Sequence, residues 1–239
     1  MTVTIMQPAY LPWLGYFERV LLSDLFVVLD DVQMDASSKT NFVNRNKIRT
    51  SGEPAWLTVP IRKKGLHQNL FINRIEIDRD SKWQVKHWNS LKMNYSRSAY
   101  FVQHASYFEA AYKKEWSLLV DLIHNTNHHL FEVLGIATKR VLHSSDPADG
   151  KKDDLILNIC KKYKATRYIS GPFGRTYLDL EKFRRAGIDV FFHYYKHPRY
   201  RQRYPGFESY LSVVDLLFNE GPESLKILNT TADVRNLLQ

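Results

Sequence analysis

Residues 3–33, which read VTIMQPAYLPWLGYFERVLLSDLFVVLDDVQ, contain the pattern that decides the fold. A short apolar run ends at Met6, and a polar turn that contains two prolines follows it. Helical spacing of apolar residues predicts a helix over 13–22, and a second apolar run predicts a strand over 25–29. The order strand, loop, helix, strand is typical of an open α/β sheet, whose ligands bind outside the carboxyl ends of the strands.

Strand and helix patterns alternate in the rest of the chain. Further strands are predicted at 56–61, 71–77, 138–142, 168–170 and 188–194. Helical periodicity is found at 81–95, 98–112, 115–134, 153–163, 178–186, 211–219 and 223–228. We therefore predict a Rossmann-like three-layer α/β core in a single domain over 1–239, with a helix-rich insertion at about 81–134.

The composition favours an anionic partner. The chain of 239 residues has 34 Lys and Arg against 25 Asp and Glu, a formal net charge of +9. Such an excess suits nucleic acid, nucleotides or phosphorylated substrates, although a generic basic surface has the same composition. A lone Cys160 excludes an intrachain disulfide. Because neither a membrane span nor a secretory signal is visible, we expect a cytoplasmic protein that does not contact a membrane.

Polar residues follow each strand that opens a strand–helix unit. Gln7 follows the first strand, Asp30 and Asp31 end the second, and Ser144 and Ser170 end two later ones. One of the two carboxylates could hold a Mg²⁺ ion, accept from a substrate amine or act as a general base, while the other caps a turn. The serines precede helices, where they could bind an anion or only cap the helix.

Aromatic and amide side chains supply further candidate binding residues. Tyr10 and Trp13 could wall a planar ligand or belong to the core. Asn44–Arg45–Asn46 places an arginine between two amides, and the arginine fork matches phosphate or carboxylate while asparagine suits base edges. A polar turn with a surface arginine is the alternative. Gln33, which closes the DDVQ segment, is a further candidate for substrate binding.

Residues 194–204, which read YYKHPRYRQRY, interleave aromatics with cations. This composition is typical of a surface that contacts phosphates and bases, although a solvated basic loop would look the same. His197 is the candidate proton carrier of this segment because histidine titrates near neutral pH. The candidate substrate-binding residues of the segment are Lys196, Arg199, Arg201 and Gln202. The chain contains no Walker lysine pattern, no GxGxxG and no pattern of a structural metal site.

Taken together, these motifs resemble the WbqC-like protein family. The most specific are QPAYLPWLGYF at 7–17 and DDVQ at 30–33, and the similarity runs from about 3 to 228 with the closing LSVVDLLFNEG at 211–221. The family is associated with bacterial surface-polysaccharide loci, where it is thought to help attach an amino acid to an amino sugar. Phage members resemble transferases that join an amino acid such as glycine to a phosphorylated hydroxymethyl group on thymine-like bases in DNA.

The resemblance implies site positions and leaves several functions open. Motif matching suggests Gln7, Tyr10, Trp13, Asp30, Asp31, Asn44, Arg45 and Asn46. The opening layout is also similar to nucleotidyltransferases with a HIGH-type turn, but the paired histidines of that turn are missing here. We therefore expect an amino-acid transferase, not an adenylyl transferase. A nucleotide-linked amino sugar as acceptor, and a noncatalytic DNA- or polysaccharide-binding module, are the alternatives.

The leading hypothesis assigns three tasks to the candidate residues. The partners are a free amino acid and DNA or another phosphorylated, nucleotide-type acceptor; the sequence assigns no cofactor, and a Mg²⁺ ion is the one candidate. Asp30 or Asp31 would hold or deprotonate the attacking ammonium, and Arg45 with a cation from 199–203 would neutralise the departing phosphate. Tyr10 and Trp13 would stack on an extruded base. This hypothesis requires that segments near 7, 30, 45 and 200 meet in one cleft.

Overall fold

A six-stranded sheet lies at the centre of the computed structural model, which describes residues 1–34, 41–62, 70–232 and 237–238. The strands are β1 (Thr2–Met6), β2 (Leu25–Val28), β3 (Arg45–Ile48), β4 (Ala55–Thr58), β5 (Lys139–Leu142), β6 (Arg167–Ser170), β7 (Asp189–His193) and β8 (Leu237–Leu238). The helices are α1 (Leu14–Leu21), α2 (Trp83–Tyr95), α3 (Phe101–Lys113), α4 (Leu119–Val133), α5 (Lys152–Lys162), α6 (Leu180–Arg185), α7 (Val213–Glu220) and α8 (Ser224–Thr231).

The strand order of the sheet is β5-β2-β1-β6-β7-β8. The first five strands are parallel, and β8 pairs with β7 in the antiparallel direction. Starting from β1, the chain adds β2 and then β5 on one side of it. It then crosses over and adds β6 and β7 on the other side of β1. This confirms the predicted Rossmann-like α/β fold, and it places the topological switch point between β1 and β6, where such folds bind ligands.

Both faces of the sheet are covered, which explains why β1 and β2 are almost uninterrupted apolar runs. On one face Val3 and Ile5 pack in a core with side chains of α5 and α6. On the other face Phe26 and Val28 pack with α1, α4 and α7. The result is the three-layer arrangement expected from the alternation of strands and helices.

The insertion between β2 and β5 contains the two-stranded β3–β4 sheet and helices α2, α3 and α4. The core on the α1 side of the main sheet continues into it without a break, because Leu91, Phe101 and Phe108 belong to the same buried cluster as Phe17. The strand predicted at 71–77 is wrong. That segment forms a 3₁₀ turn with isolated bridges, and its apolar spacing comes from burial of Ile72, Ile75 and Ile77.

Within the described part of the chain, none of the helices has both the length and the apolar character that a transmembrane crossing requires.

Candidate functional site

A cleft opens at the switch point, outside the carboxyl ends of β1 and β6. Its inner part, about 350 Å³, is lined by the turn after β1, by α1 and by the turn after β6. An outer part of about 540 Å³ extends along the end of β7. These volumes are in the range of small-molecule sites. We call the two parts together the switch-point cleft; both are lined by Trp13, Arg19, Phe42, Gly171 and Phe173.

Arg19 supplies a positive charge in this cleft. Its Nε donates to Sδ of Met6 at 3.0 Å. No carboxylate of the described residues lies within ion-pairing distance of its guanidinium. Desolvation lowers the pKa of Arg19, although arginine stays charged at neutral pH. A half-buried cation without a counter-ion is costly, so this position favours an anionic ligand.

The turn after β6 is shaped to accommodate this arginine. A β-carbon added to Gly171 would lie 2.7 Å from Nη1 of Arg19. Ser170, which closes β6, is buried and lies on the cleft wall. Burial raises the pKa of the neighbouring Tyr177, and the charge of Arg19 partly offsets that rise. A small residue at 171 therefore lets the cation reach the ends of the central strands.

Aromatic rings form the outer walls of the cleft. Trp13 is half-buried and meets Tyr195 edge to face, with ring centroids 4.8 Å apart. Phe173, Tyr194 and Tyr210 are exposed although they are large, and they surround the same opening. Exposed aromatic rings around a cavity offer flat, apolar surfaces to a planar ligand or a sugar. The structure thus places Trp13 on the cleft wall.

Asp30 and Asp31 lie outside this cleft and are held by protein groups. Asp30 is buried and accepts from the backbone N–H and the hydroxyl of Ser144 at 3.0 and 2.6 Å. Burial opposes its ionisation, but His124, whose Nε2 is 3.8 Å from Oδ2, and the hydrogen bonds from Ser144 hold the pKa of Asp30 below its usual value. Asp31 accepts from Nδ1 of His143 at 2.6 Å. Both carboxylates thus tie the end of β2 to the turn after β5.

A catalytic role or a Mg²⁺ ion at these aspartates stays a prediction. Both oxygens of Asp30 are already used by Ser144. The described residues include no group of three or more histidine, cysteine or carboxylate side chains arranged to hold a metal ion.

Three residues expected to face a ligand instead form hydrogen bonds with other groups of the protein. Tyr10 is fully buried, with its hydroxyl 2.9 Å from Nδ1 of His87 and 2.5 Å from the hydroxyl of Tyr112. Asn46 is also buried and donates to the carbonyl of Leu11, and Asn44 donates to the carbonyl of Val59. The expectation that the ring of Tyr10 stacks on a ligand is corrected accordingly: it fills the core below the turn.

Arg45 lies on the first strand of the two-stranded β3–β4 sheet. Its Nε donates to the carbonyl of Asn41, and its guanidinium stands 4.7 Å from the ring centroid of Trp56. Trp56 in turn stacks on Phe42, with ring centroids 6.1 Å apart, and Phe42 is a wall of the switch-point cleft. Arg45 is therefore connected to the cleft through two aromatic rings.

The segment 194–204 begins on the outer wall of the cleft with Tyr194 and Tyr195, and its later residues pack behind that wall. His197 contacts the rings of Tyr195 and Tyr210, and its Nδ1 donates to the carbonyl of Pro198 at 2.8 Å. Desolvation lowers the pKa of His197, which favours the neutral form of its ring. Gln202 is held by Glu208 and Asp215. The exposed cations of the segment are Lys196, Arg199 and Arg201.

Gln7 and Gln33 lie at the rim. Gln7 lines the inner part of the cleft, and its Nε2 donates to the carbonyl of Gln33 at 3.4 Å. Of the four segments expected to meet, the one near 7 lines the cleft directly, and the one near 45 reaches it through Phe42. The segment near 200 packs behind the cleft wall, and the aspartates lie at the neighbouring β2–β5 end of the sheet.

Sequence reasoning missed several residues of the cleft wall, and the two with chemical groups that matter most are Arg19 and His193. Arg19 reads as an ordinary solvent-facing residue of an amphipathic helix. A usable signal was its position one helical turn after Gly15, on the helix that directly follows the β1 turn. His193 was counted as part of an apolar strand, although it is the last residue of β7 and so belongs to the ligand-binding edge.

Comparison with known proteins agrees with the motifs. The profile of the WbqC-like protein family matches residues 7–227. The uncharacterized protein Rv1507c of Mycobacterium tuberculosis (strain ATCC 25618 / H37Rv) is 37% identical over 227 residues, which cover 93% of this chain and 95% of the relative. No solved structure matches the chain. By the extent of both matches, the chain belongs to the WbqC-like protein family.

Proposed function

We propose that this protein is a transferase that binds a phosphorylated, ring-containing acceptor in the switch-point cleft and joins an amino acid to it. The observation that carries the proposal is the guanidinium of Arg19, which lies in the cleft without a carboxylate partner among the described residues. A phosphate is a natural occupant, because a guanidinium donates to it through two parallel N–H groups.

The acceptor ring would lie between the aromatic walls. Trp13 and Phe173 line both parts of the cleft, so a ring placed there has its phosphate within reach of Arg19. In the reaction, the amine of the amino acid attacks the methylene carbon that bears the phosphate. The C–N bond forms, the C–O bond breaks, and the phosphate leaves with the electron pair. Arg19 stabilises the charge that develops on this leaving group, the task first assigned to Arg45.

A phosphorylated hydroxymethyl-pyrimidine in DNA is the acceptor that we favour. The supporting feature is a row of rings and cations that starts at the cleft with Phe42 and continues to Trp56. Arg45 and Lys47 stand 4.7 and 5.3 Å from the ring centroid of Trp56. Aromatic side chains interleaved with cations are the usual surface for single-stranded nucleic acid, on which bases stack and phosphates pair. When the target base is extruded into the cleft, the adjacent nucleotides of the same strand would lie along this row.

A nucleotide-linked amino sugar is the second candidate acceptor. The exposed rings of Phe173, Tyr194 and Tyr210 at the cleft mouth would pack on a sugar ring as well as on a base. Amide formation on such a sugar needs an activated acyl donor as co-reactant. This candidate differs from the first because a sugar nucleotide in the cleft would not contact Trp56, Arg45 or Lys47.

The direct test is product formation. The protein is incubated with glycine, and in parallel with other amino acids, and with DNA that contains phosphorylated 5-hydroxymethyl-pyrimidine. The DNA is then digested to nucleosides for mass spectrometry. We expect a nucleoside that carries the amino acid. Arg19→Gln should lower its rate of formation by about 10²–10³-fold, the usual effect of removing a group that stabilises developing charge.

Arg184→Gln is the matched control, because Arg184 is exposed on α6, pairs with Glu181 and is not one of the residues that line the cleft. It should keep the wild-type rate. Product from a nucleotide-linked amino sugar alone would select the second candidate. Binding of either acceptor without any product would mark a noncatalytic binding module and overturn the transferase proposal.

A further inference from the structure

A buried carboxylate–histidine pair stands directly behind the switch-point cleft. Glu18 of α1 has no exposed surface, and His193 at the end of β7 is 3% exposed. Oε1 of Glu18 lies 2.9 Å from Nε2 of His193, and Oε2 accepts from the hydroxyl of Thr231. Because a carboxylate oxygen accepts hydrogen bonds, this contact places a proton on Nε2 of His193, which donates a hydrogen bond to Oε1 of Glu18.

The remaining nitrogen of His193 is available to a ligand. His193 is on the wall of the outer part of the cleft, together with Trp13, Gly15 and Arg19. No described residue forms a hydrogen bond with its Nδ1. In the neutral ring with Nε2 protonated, Nδ1 is a lone-pair acceptor. A histidine of this form, held by a buried carboxylate, is the arrangement used for proton transfer.

Two other buried histidines do not have this arrangement. His143 is also paired with a carboxylate, but its Nε2 accepts the backbone N–H of Ala148, so both of its nitrogens are used inside the protein. His87 is buried against Tyr10. Among the residues that form the cleft wall in the described structure, His193 is the one histidine.

Stability alone does not account for this pair. Removing a carboxylate and an imidazole from water costs free energy that their mutual attraction often fails to return, and apolar residues of similar size commonly serve as well. Glu18 interrupts an otherwise apolar buried surface of α1 between Phe17 and Val20. This polar pair has one end buried and the other at a cleft, and such a position indicates a role in a reaction that takes place in the cleft.

We infer that His193 is the proton acceptor of the reaction in the cleft and that Glu18 is the residue that positions it. This inference rests on the proposed function, which supplies the reaction step: attack of the amine on the phosphorylated acceptor. As the C–N bond forms and the phosphate departs with its electron pair, the amine loses a proton to Nδ1 of His193. Glu18 stabilises the imidazolium that results. Arg19 holds the anionic end of the acceptor in the same cleft, so acid–base and phosphate-binding groups converge.

The first test needs no acceptor. In ¹⁵N-histidine-labelled full-length protein, long-range ¹H–¹⁵N correlations report which ring nitrogen carries the proton. We expect His193 as the Nε2–H tautomer at neutral pH, assigned by loss of its signals in His193→Gln. Adding thymidine 5′-monophosphate should shift the Nδ1 signal in wild type and leave it unchanged in Arg19→Gln. An Nδ1–H tautomer would overturn the inference, since no lone pair would then face a substrate.

The second test separates a positioning role from a structural one. Glu18→Gln and His193→Gln should each lower kcat by about 10²–10⁴-fold with KM changed less than about threefold, as expected for loss of general base catalysis. The double variant should be no slower than either single one, because the two residues act as a unit. Glu132→Gln is the matched control: that exposed carboxylate also pairs with a histidine, His128, at 3.2 Å.

The outcomes distinguish the two proposals. If wild type forms no product with any acceptor, the proposed function fails, whereas the tautomer still decides whether His193 is set up as a base. If wild type forms product while folded Glu18→Gln and His193→Gln keep its kcat, the proposed function stands and the pair is architectural. The groups that face His193 and enter any pH profile are Glu18 and Arg19 from α1 and Tyr195 from the segment after β7.

Discussion

Nη1 of Arg19 lies 2.7 Å from the place that a β-carbon of residue 171 would occupy, and a glycine stands there. Gly171 has φ near −71°, a value that any residue adopts, so its lack of a side chain serves the close approach. Helix α1 and the turn after β6 come from distant parts of the chain, and their meeting at the switch point places one cation at the ends of both central strands. A substitution at Gly171 therefore tests whether Arg19 binds the anion.

Gly171→Ala is expected to displace the guanidinium without disturbing the backbone. Binding of thymidine 5′-monophosphate, measured by titration calorimetry, should weaken by about tenfold or more, which corresponds to about 1.4 kcal/mol. Gly52→Ala is the matched control, since nothing lies within 4 Å of a β-carbon at that position. Equal affinity in the Gly171 and Gly52 variants would show that Arg19 does not contact the phosphate.

Asp30 should make the protein less stable in acid. Its folded pKa is held below the unfolded value of about 3.9, so its contribution is full above that pH and is lost as pH falls through the folded pKa. Asp30→Asn leaves the two donors of Ser144 poorly matched and should cost about 1–3 kcal/mol at pH 7.

Urea denaturation between pH 3 and 7 measures both effects of Asp30→Asn. The variant should also show a smaller loss of unfolding free energy below pH 4 than wild type. An unchanged free energy of unfolding at pH 7, combined with lost turnover, would instead support the general-base role predicted for Asp30 from the sequence.

Asp215 should act with the opposite sign. Burial raises its pKa to about 6, and hydrogen bonds from the hydroxyls of Tyr200 and Tyr95 only partly oppose that rise. The folded protein thus holds the proton more tightly than the unfolded chain, so the free energy of unfolding falls as pH rises from about 4 to about 6. The full penalty above pH 6 is on the order of 3 kcal/mol.

Asp215→Asn removes this titration. Its unfolding free energy, measured by urea denaturation, should therefore vary less than that of wild type between pH 4 and 6.5. A variant curve parallel to wild type across that window would mean that Asp215 is ionised in the folded protein throughout it.

The order of strands and helices was predictable because local patterns carry it. The apolar runs of β1, β2 and β7 and the helical periodicity of α4 are strong, and the handedness of parallel connections then restricts the sheet order. The segment 71–77 failed because periodicity reports burial, and burial beside α4 produces the same spacing as a strand. Short bridges depend on neighbours from distant parts of the chain, which a local pattern does not contain.

The site was less predictable for a related reason. A carboxylate at a strand end looks the same whether it faces a ligand or a backbone N–H from another strand. Asp30 meets Ser144, a residue 114 positions later, and that partner decides its environment. Tyr10 likewise meets Tyr112 across the insertion. Arg19 and Glu18 are adjacent in the sequence, yet only the tertiary structure gives one of them to the cleft and the other to His193.

The row of rings beyond the cleft distinguishes the two candidate acceptors. Lys47 stands 5.3 Å from the ring centroid of Trp56, and Lys92 stands 5.4 Å from that of Trp88 on α2, so the two lysines form matched pairs at different places. If DNA follows the row, Lys47→Gln should weaken binding of a single-stranded oligonucleotide and reduce the slope of log K against log salt by about 1. The same variant should leave the affinity for thymidine 5′-monophosphate unchanged, because that ligand ends at the cleft.

Fluorescence anisotropy at several salt concentrations measures this slope for the oligonucleotide. Lys92→Gln should keep the wild-type slope, since no aromatic path joins Trp88 to the walls of the cleft in the described structure. Identical slopes for wild type and both variants, together with tight binding of a nucleotide-linked amino sugar, would assign the acceptor to the surface-polysaccharide class. A phosphate contact at Lys47 requires an acceptor that extends past Phe42 to Trp56, and a sugar nucleotide confined to the cleft makes no such contact.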